Sequence, residues 1–376
     1  MKILLIFWSL WFLNFSSRTI LSPLLPIFEK QLGISHALSG STFLSLAVGY
    51  TCSLVVAGWI TPRIGYKRSI VGGFFLLTLA LAALVLVKAY GHLIAVAFFL
   101  GLGAGIYLPC ALPVLTSSIS PDKWGKAIAF HETAASFSIL AAPLLVAAAL
   151  ALTGWKALVL ALCVLCLAVT LVFMVRLQEP PQQGKGKRTF SLVFRRREFW
   201  VISAVWSFAA AGGLGLYNLI PLFLVNEKGL TLDMANTLFG FSRVSGLVLI
   251  FLSGLFMDKF GVKLVLFTSL LASGLATVGL AVAESFPFLI GMLVMQATFI
   301  PVFFPAALVA VSKLTDISDR SAFAGATVAI AVVFGTGVAP SLVGILADFH
   351  GFAAGFFWQG ALTVLVCPLI AFLRKI

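Results

Sequence analysis

Charge is scarce in this sequence, and acidic charge is scarcest: 12 Asp and Glu stand against 25 Lys and Arg, and charged residues make up 10% of the 376. A chain this poor in charge, 61% hydrophobic and with a mean hydropathy of +1.13, is excluded from the ordinary soluble globular class. Cysteine is also rare. The five present (Cys52, Cys110, Cys163, Cys166 and Cys367) all fall within apolar runs, where they read as small packing residues; Cys163-x-x-Cys166 in lipid is packing before it is redox or metal chemistry. Metal-ligand spacing, a nucleotide loop and a nucleophile constellation are missing, so neither a cofactor nor an enzymatic activity is expected. No small-x-small cleavage site follows "MKILLIFWSLWFL", and apolar character continues through Leu25, so this opening reads as an uncleaved first span.

What fills the chain is a series of apolar runs, each long enough to cross a hydrocarbon core of roughly 30 Å. Hydropathy predicts twelve, near residues 3–28, 37–60, 69–88, 92–117, 127–150, 155–176, 198–225, 234–257, 262–283, 286–311, 321–347 and 352–373. The net charge of +13 suggests nucleic acid only until it is mapped onto that topology. With both termini inside, cytoplasmic segments hold most bases, including Lys2, Arg63, Lys67, Arg68, the Lys185 to Arg197 cluster, Lys259 and Lys263; the opposite side has Lys30, Lys88, Lys156 and Lys228. The positive-inside rule therefore sets the orientation, and no nucleic-acid partner is expected.

The one long polar stretch, "RLQEPPQQGKGKRTFSLVFRRREF", lies near the middle of the chain. It divides the sequence into an N-terminal six-helix bundle at 1–176, a cytoplasmic linker at 177–197 and a C-terminal six-helix bundle at 198–376. An internal repeat supports the division. "LGISHALSGSTF" from Leu32 aligns with "KGLTLDMANTLF" from Lys228, matching Gly33 to Gly229, Ser35 to Thr231 and Phe43 to Phe239. The same spacing carries Gly58 onto Gly254, Gly65 onto Gly261 and Lys67 onto Lys263.

Those matches fall in "GWITPRIGYKR" and "GLFMDKFGVK", the loops after the second span of each half. Both resemble the signature of the major facilitator superfamily: a glycine, three residues, an acid, a base, one residue, a glycine and further bases. The resemblance implies an all-α membrane protein of twelve transmembrane helices in two bundles related by pseudo-symmetry, with alternating access to a central cavity. It implies a conformational gate at Gly58, Arg63, Gly65, Lys67, Gly254, Asp258, Lys259 and Gly261. The first copy departs from the pattern, since Pro62 stands where Asp258 supplies the acid in the second. An acid-dependent latch is therefore not expected in the N-terminal half.

Three ionisable residues lie at membrane depth without the excuse of a span end: Arg18 in span 1, Arg243 in span 8, and Glu132 in span 5 beside His131. An arginine at mid-membrane costs about 2.5 to 3.5 kcal/mol on insertion scales and is tolerated where it faces water, a partner or a ligand. In the resembled fold, spans 1, 5 and 8 line the cavity, so both arginines would face it. A guanidinium fork fits a carboxylate or other oxyanion. Each arginine reads either as part of a site for a small anionic substrate or as paired with helix carbonyls or Glu132. Asn14 and Ser22 share the face of Arg18 at helical spacing, while Trp8, Phe12 and Phe15 point elsewhere. Tyr50, Tyr107, Tyr217, Asn218 and Gln296 are further polar groups at membrane depth. Glu132, with His131 modulating it, reads as carrier of a coupling proton or as partner of a cytoplasmic base such as Lys126.

Helix breakers mark bends: Pro109 and Pro113 in span 4, Pro301 and Pro305 in span 10, and Gly212, Gly213 and Gly215 in span 7. Drug and proton antiporters of the superfamily usually carry an arginine ahead of the span 4 glycines and a Gly-Pro segment in span 5; "AVAFFLGLGAG" and "ETAASFSILAAP" have neither. The arrangement resembles the organic-anion branches, including monocarboxylate carriers. In relatives with a span 1 arginine an acid often precedes it, whereas Ser17 does here. The resulting expectation is a monomeric secondary transporter of a small carboxylate, proton-coupled or anion-exchanging, in a bacterial cytoplasmic membrane. Export of an amphipathic substrate such as a lysolipid or drug is the alternative, and a non-transporting membrane receptor or enzyme is the remote one.

Overall fold

Proline and glycine decide where the long apolar helices of this chain bend. The structure, a computed structural model, describes residues 2–120, 124–179, 193–315 and 317–373. Most of the expected linker, 180–192, lies outside them. All regular structure among the described residues is helical.

Ten runs are long and apolar enough to cross a membrane as single spans: Ile3–Leu32, His36–Ile64, Tyr66–Leu84, Tyr90–Leu115, Ala127–Leu152, Trp155–Arg176, Arg197–Asn226, Leu232–Phe260, Val262–Ala281 and Phe286–Leu314, here spans 1 to 10. An eleventh, Phe323–Phe372, is broken at Gly351 (φ 83°, ψ 162°) into spans 11 and 12. These are the twelve helices that hydropathy predicts.

The bends have local causes. Span 1 breaks at Ile20, between helices ending at Thr19 and starting at Leu21. Pro23 lacks the N–H that would reach Thr19, and its ring crowds that carbonyl. Span 4 breaks at Ile106, where Pro109 withholds its bond from Gly105 in the same way. Span 10 keeps one continuous helix through Pro301 and Pro305, so the proline pair there does not interrupt it. In span 7 the glycine run forms a π-helical segment, Ala211–Gly215, and span 11 has another at Val332–Val338.

The repeat is visible in backbone conformation. Among the described residues, every one with positive φ is a glycine, and the six fall into corresponding pairs: Gly33 (60°) with Gly229 (68°), Gly65 (95°) with Gly261 (81°), and Gly154 (84°) with Gly351 (83°). A side chain at such a φ is strained, so each half needs glycine where its helices turn.

Contacts divide the chain into two compact units. Unit 1 comprises 1–34, 45–184 and 232–240; unit 2 comprises 35–44, 185–231 and 241–376. In unit 1, spans 2 and 4 pack backbone to backbone: a Cβ added at Gly101 would stand 2.0 Å from the Leu46 carbonyl oxygen. In unit 2 the two π segments meet the same way, since a Cβ on Gly215 would lie 2.4 Å from the Gly335 oxygen. Small residues let membrane helices approach this closely.

Three of the chain's few acids close helix N-termini, where unsatisfied N–H groups and the helix dipole favour a carboxylate. In unit 1, Glu179 accepts from Lys67 N (3.1 Å) at the start of span 3. In unit 2, Asp348 accepts from His36 N (2.8 Å) and Ala37 N (3.0 Å) at the start of span 2. There too, Glu227 accepts from Ala353 N (3.0 and 3.1 Å), just past the Gly351 break.

Candidate functional site

Span 1 builds most of a polar cluster inside unit 1. Arg18 and Asn14 are one turn apart, and the Arg18 Nε donates to the Asn14 carbonyl at 3.4 Å. The guanidinium carbon lies over two rings, 4.3 Å from the centroid of Phe15 and 4.9 Å from that of Tyr50. No carboxylate among the described residues lies within salt-bridge distance of Arg18. Its pairing with a carbonyl is thus real, but it engages only Nε and leaves Nη2 with no hydrogen-bond partner. Asn14 is fully buried and donates its Nδ2 to Ala104 O in span 4 (3.0 Å).

Deeper along the same helix, three rings stack. Trp11 lies 5.2 Å from Tyr107 and 5.4 Å from His131, with interplanar angles of 20° and 13°. Trp11 is a site residue that sequence reading passed over; its signal was the helical spacing to Asn14 and Arg18. His131, at 0% exposure, touches a partner at each nitrogen. Nε2 is 3.0 Å from the Tyr107 hydroxyl, and Nδ1 is 3.0 Å from Glu132 Oε1. Neighbours in a helix point about 100° apart, which argues from sequence against contact. The pair meets because the long Glu132 side chain, half exposed, folds back along the helix.

The protons of this chain of contacts can be counted. The Tyr107 hydroxyl also bonds the Phe7 carbonyl oxygen at 3.0 Å, and a carbonyl only accepts. The hydroxyl proton therefore points to Phe7, and His131 Nε2–H donates to the Tyr107 oxygen. One proton then suffices for the contact between Nδ1 and Oε1, on either atom; without it two lone pairs would face each other at 3.0 Å. Among the described residues, Tyr107 and Tyr50 interact electrostatically with Glu132, and Tyr50 also with Arg18. Lys126, the alternative partner for Glu132, has a side chain outside the described set.

Unit 2 has its own buried arginine. Arg243, 6% exposed, ends the first helix of span 8 and precedes Val244–Phe260. Its Nη1 donates to Gln296 Oε1 of span 10 at 3.3 Å, and its guanidinium carbon lies 5.4 Å from the Tyr217 ring centroid. Gln296 in turn donates its Nε2 to the Gly212 carbonyl in the π segment. That segment thus presents a carbonyl outside the α-helical ladder, which fixes the amide so that its oxygen faces the arginine. Asn218, which follows Tyr217 in the same helix, is buried.

The expected gate residues separate into two kinds. Gly65 and Gly261 are the positive-φ turns, whereas Gly58 and Gly254 are exposed positions inside helices. Arg63 folds onto its own helix, donating to Trp59 O (2.6 Å) with its guanidinium over the Trp59 ring at 3.9 Å. Asp258 and Lys259 are exposed, and Lys259 Nζ lies over Phe260 at 5.1 Å. Lys263 Nζ reaches Ala371 O at 3.0 Å. The missing acid of the first copy has a structural substitute. Glu179, from just after span 6, lays its carboxylate against Gly65: a Cβ there would be 2.5 to 2.8 Å from the carboxyl atoms. The carboxylate comes from a residue 112 positions away from Lys67 in sequence and closes the helix end there.

A 26% identical stretch of 199 residues aligns with a protein TsgA homolog of Edwardsiella ictaluri, covering 51% of this chain and 50% of that protein. The chain thus spans about half the length of that relative. A galacturonate transporter of Dickeya chrysanthemi is 23% identical over 58% of this chain and 70% of its own. The solved structure of a D-xylose-proton symporter superposes with a TM-score of 0.83 at 15% identity, over 98% of this chain and 96% of the other. The family model described as Major Facilitator Superfamily matches residues 7–249 and 219–376, and the chain belongs to that family.

Proposed function

We propose that this protein is a secondary transporter of a small organic anion, a carboxylate, working by alternating access and coupled to protons. The observation that carries the reading is Arg18: a guanidinium at membrane depth in unit 1, with no carboxylate of the described residues within salt-bridge distance and one nitrogen left for a ligand. Such a cation is retained where its neighbour supplies negative charge. Arg243, held by Gln296 and facing Tyr217, gives unit 2 a second anion-compatible cluster. The galacturonate transporter among the relatives carries a carboxylate sugar, which is consistent with this chemistry.

His131 and Glu132 supply the proton site. With Nε2–H committed to Tyr107, loading one proton between Nδ1 and Oε1 removes a net negative charge from the pair, and unloading restores it. Glu132 is half exposed, so its carboxylate has room to swing away from Nδ1 when the proton leaves. Loading would therefore accompany entry of the anion and compensate its charge. The distribution of Lys and Arg in the sequence supports a cytoplasmic side for both termini and the linker in this reading.

Reconstitution in liposomes tests the reading. Labelled carboxylates are offered with and without an inwardly acidic or outwardly acidic gradient, to the parent protein and to Arg18→Ala. Anion flux that depends on Arg18 and on the gradient supports it; flux undiminished in Arg18→Ala, or indifferent to the gradient, removes the corresponding half.

A further inference from the structure

The face of span 1 that carries Arg18 also carries two other buried polar atoms with no partner among the described residues. Trp11 Nε1, on a side chain 3% exposed, donates to nothing, and Asn14 Oδ1, on one 0% exposed, accepts from nothing. Positions 11, 14 and 18 lie within an arc of about 60° at roughly 100° per residue. The other orphaned side-chain atoms of unit 1, Thr51 Oγ1 and Asn236 Oδ1, stand singly on spans 2 and 8. Buried Trp N–H and amide oxygens almost always find partners, so three orphans on one helix face mark a place meant to be filled.

The order of the three defines what fills them. The indole N–H is a donor only, the free amide oxygen an acceptor only, and the guanidinium Nη2 a charged donor. A hydroxyl group is the small function that answers the first two together, accepting from Trp11 and donating to Asn14. A carboxylate answers the third. We propose that unit 1 recognises a hydroxylated carboxylate, with Arg18 holding the acid group and Trp11 and Asn14 reading a hydroxyl on the same molecule. This rests on the anion reading above and narrows it. A carboxylate without hydroxyls leaves the Trp11 and Asn14 atoms buried and unpaired, and a neutral sugar leaves the arginine so; a site built to pair a hydroxyl discriminates strongly against the analogue lacking it. Asn14 is held for this task, because its Nδ2 is engaged by Ala104 O and its oxygen is thereby oriented. Trp11 is held by its stack on Tyr107 and His131, which also puts the hydroxyl reader in contact with the proton pair.

The test is ligand-induced thermal stabilisation of the full-length protein in detergent, with matched pairs of probes: gluconate and galacturonate against hexanoate, lactate against propionate, and glucose as the uncharged control. Stabilisation by hydroxylated acids at concentrations at least ten-fold below those needed for their deoxy counterparts, with none by glucose, is the expected result. Equal stabilisation by both members of each pair overturns the hydroxyl inference while leaving the anion reading intact; no stabilisation by any acid overturns both. Trp11→Phe keeps an aromatic ring and removes the N–H together with the five-membered ring of the indole, so the deoxy acid of each pair serves as the control for lost packing. The substitution should erase most of the preference for the hydroxylated member without changing the response to the deoxy one, and an unchanged preference would remove Trp11 from the site.

Discussion

The Tyr107 hydroxyl gives its proton to the Phe7 carbonyl and receives one from His131 Nε2, both across 3.0 Å. This relationship fixes which imidazole nitrogen is left to exchange a proton, and in the proposed proton coupling it gives the tyrosine a positioning role. Tyr107→Phe should keep the stack on Trp11 while freeing Nε2–H from its acceptor, so the tautomer is no longer held. The expected outcome is altered dependence of uptake on pH with anion binding retained. Glu132→Gln should go further, abolishing proton-driven accumulation while exchange persists. The check is counterflow and gradient-driven uptake measured side by side on each variant across a pH series.

The arginines separate by the geometry of their ties. Arg18→Lys keeps a charge but loses the fork, and lysine cannot reproduce bidentate recognition of a carboxylate. It should lower apparent anion affinity by about ten-fold or more, the scale of one charge-assisted hydrogen bond. Arg243→Lys should do the same, and Gln296→Leu should weaken affinity by a smaller factor, because it removes only the amide that orients Arg243. Equilibrium binding of a labelled carboxylate to the detergent-solubilised variants measures all three.

Most of the fold was legible because membrane helices write themselves in hydropathy, and the turns in glycine. Gly33, Gly65 and their partners 229 and 261 were visible as a repeat before their positive φ gave the reason. Arg18 and Arg243 were legible because charge in an apolar run has few explanations. Trp11 was not, since an indole beside phenylalanines reads as lipid-facing until its N–H is found buried and unanswered. Glu179 was hidden for another reason: it reaches the turn at Gly65 through a contact between span 3 and the segment after span 6, and spacing within a motif carries no information about such a partner. In span 10 the helix runs on through Pro301 and Pro305, so the proline pair marks no break in the helix there.

Glu179 is accordingly the next residue to change. Its carboxylate caps the first turn of span 3, and loss of a capping acceptor typically costs about 0.5 to 2 kcal/mol. Glu179→Ala should lower the thermal midpoint of the purified protein, whereas Glu179→Gln should recover part of the loss by keeping a neutral acceptor for Lys67 N. A midpoint unchanged in the alanine variant would show that water serves this helix end as well.

The packing of spans 2 and 4 sets the sharpest steric limit in unit 1. A Cβ at Gly101 would sit 2.0 Å from the Leu46 oxygen and 2.8 Å from Tyr50 N, both backbone atoms that no rotamer change can clear. Gly101→Ala must therefore push span 4 away from span 2, the helix that carries Tyr50 beneath Arg18. Gly91, at the start of span 4, has nothing within 4 Å of the equivalent position. Gly91→Ala serves as the control and should behave as parent, while Gly101→Ala should give lower yield of monodisperse protein by size-exclusion chromatography. In the fraction that folds, the weakened contact between Tyr50 and Arg18 should appear as reduced anion affinity, so the two glycines separate a steric requirement from a general intolerance of alanine in this helix.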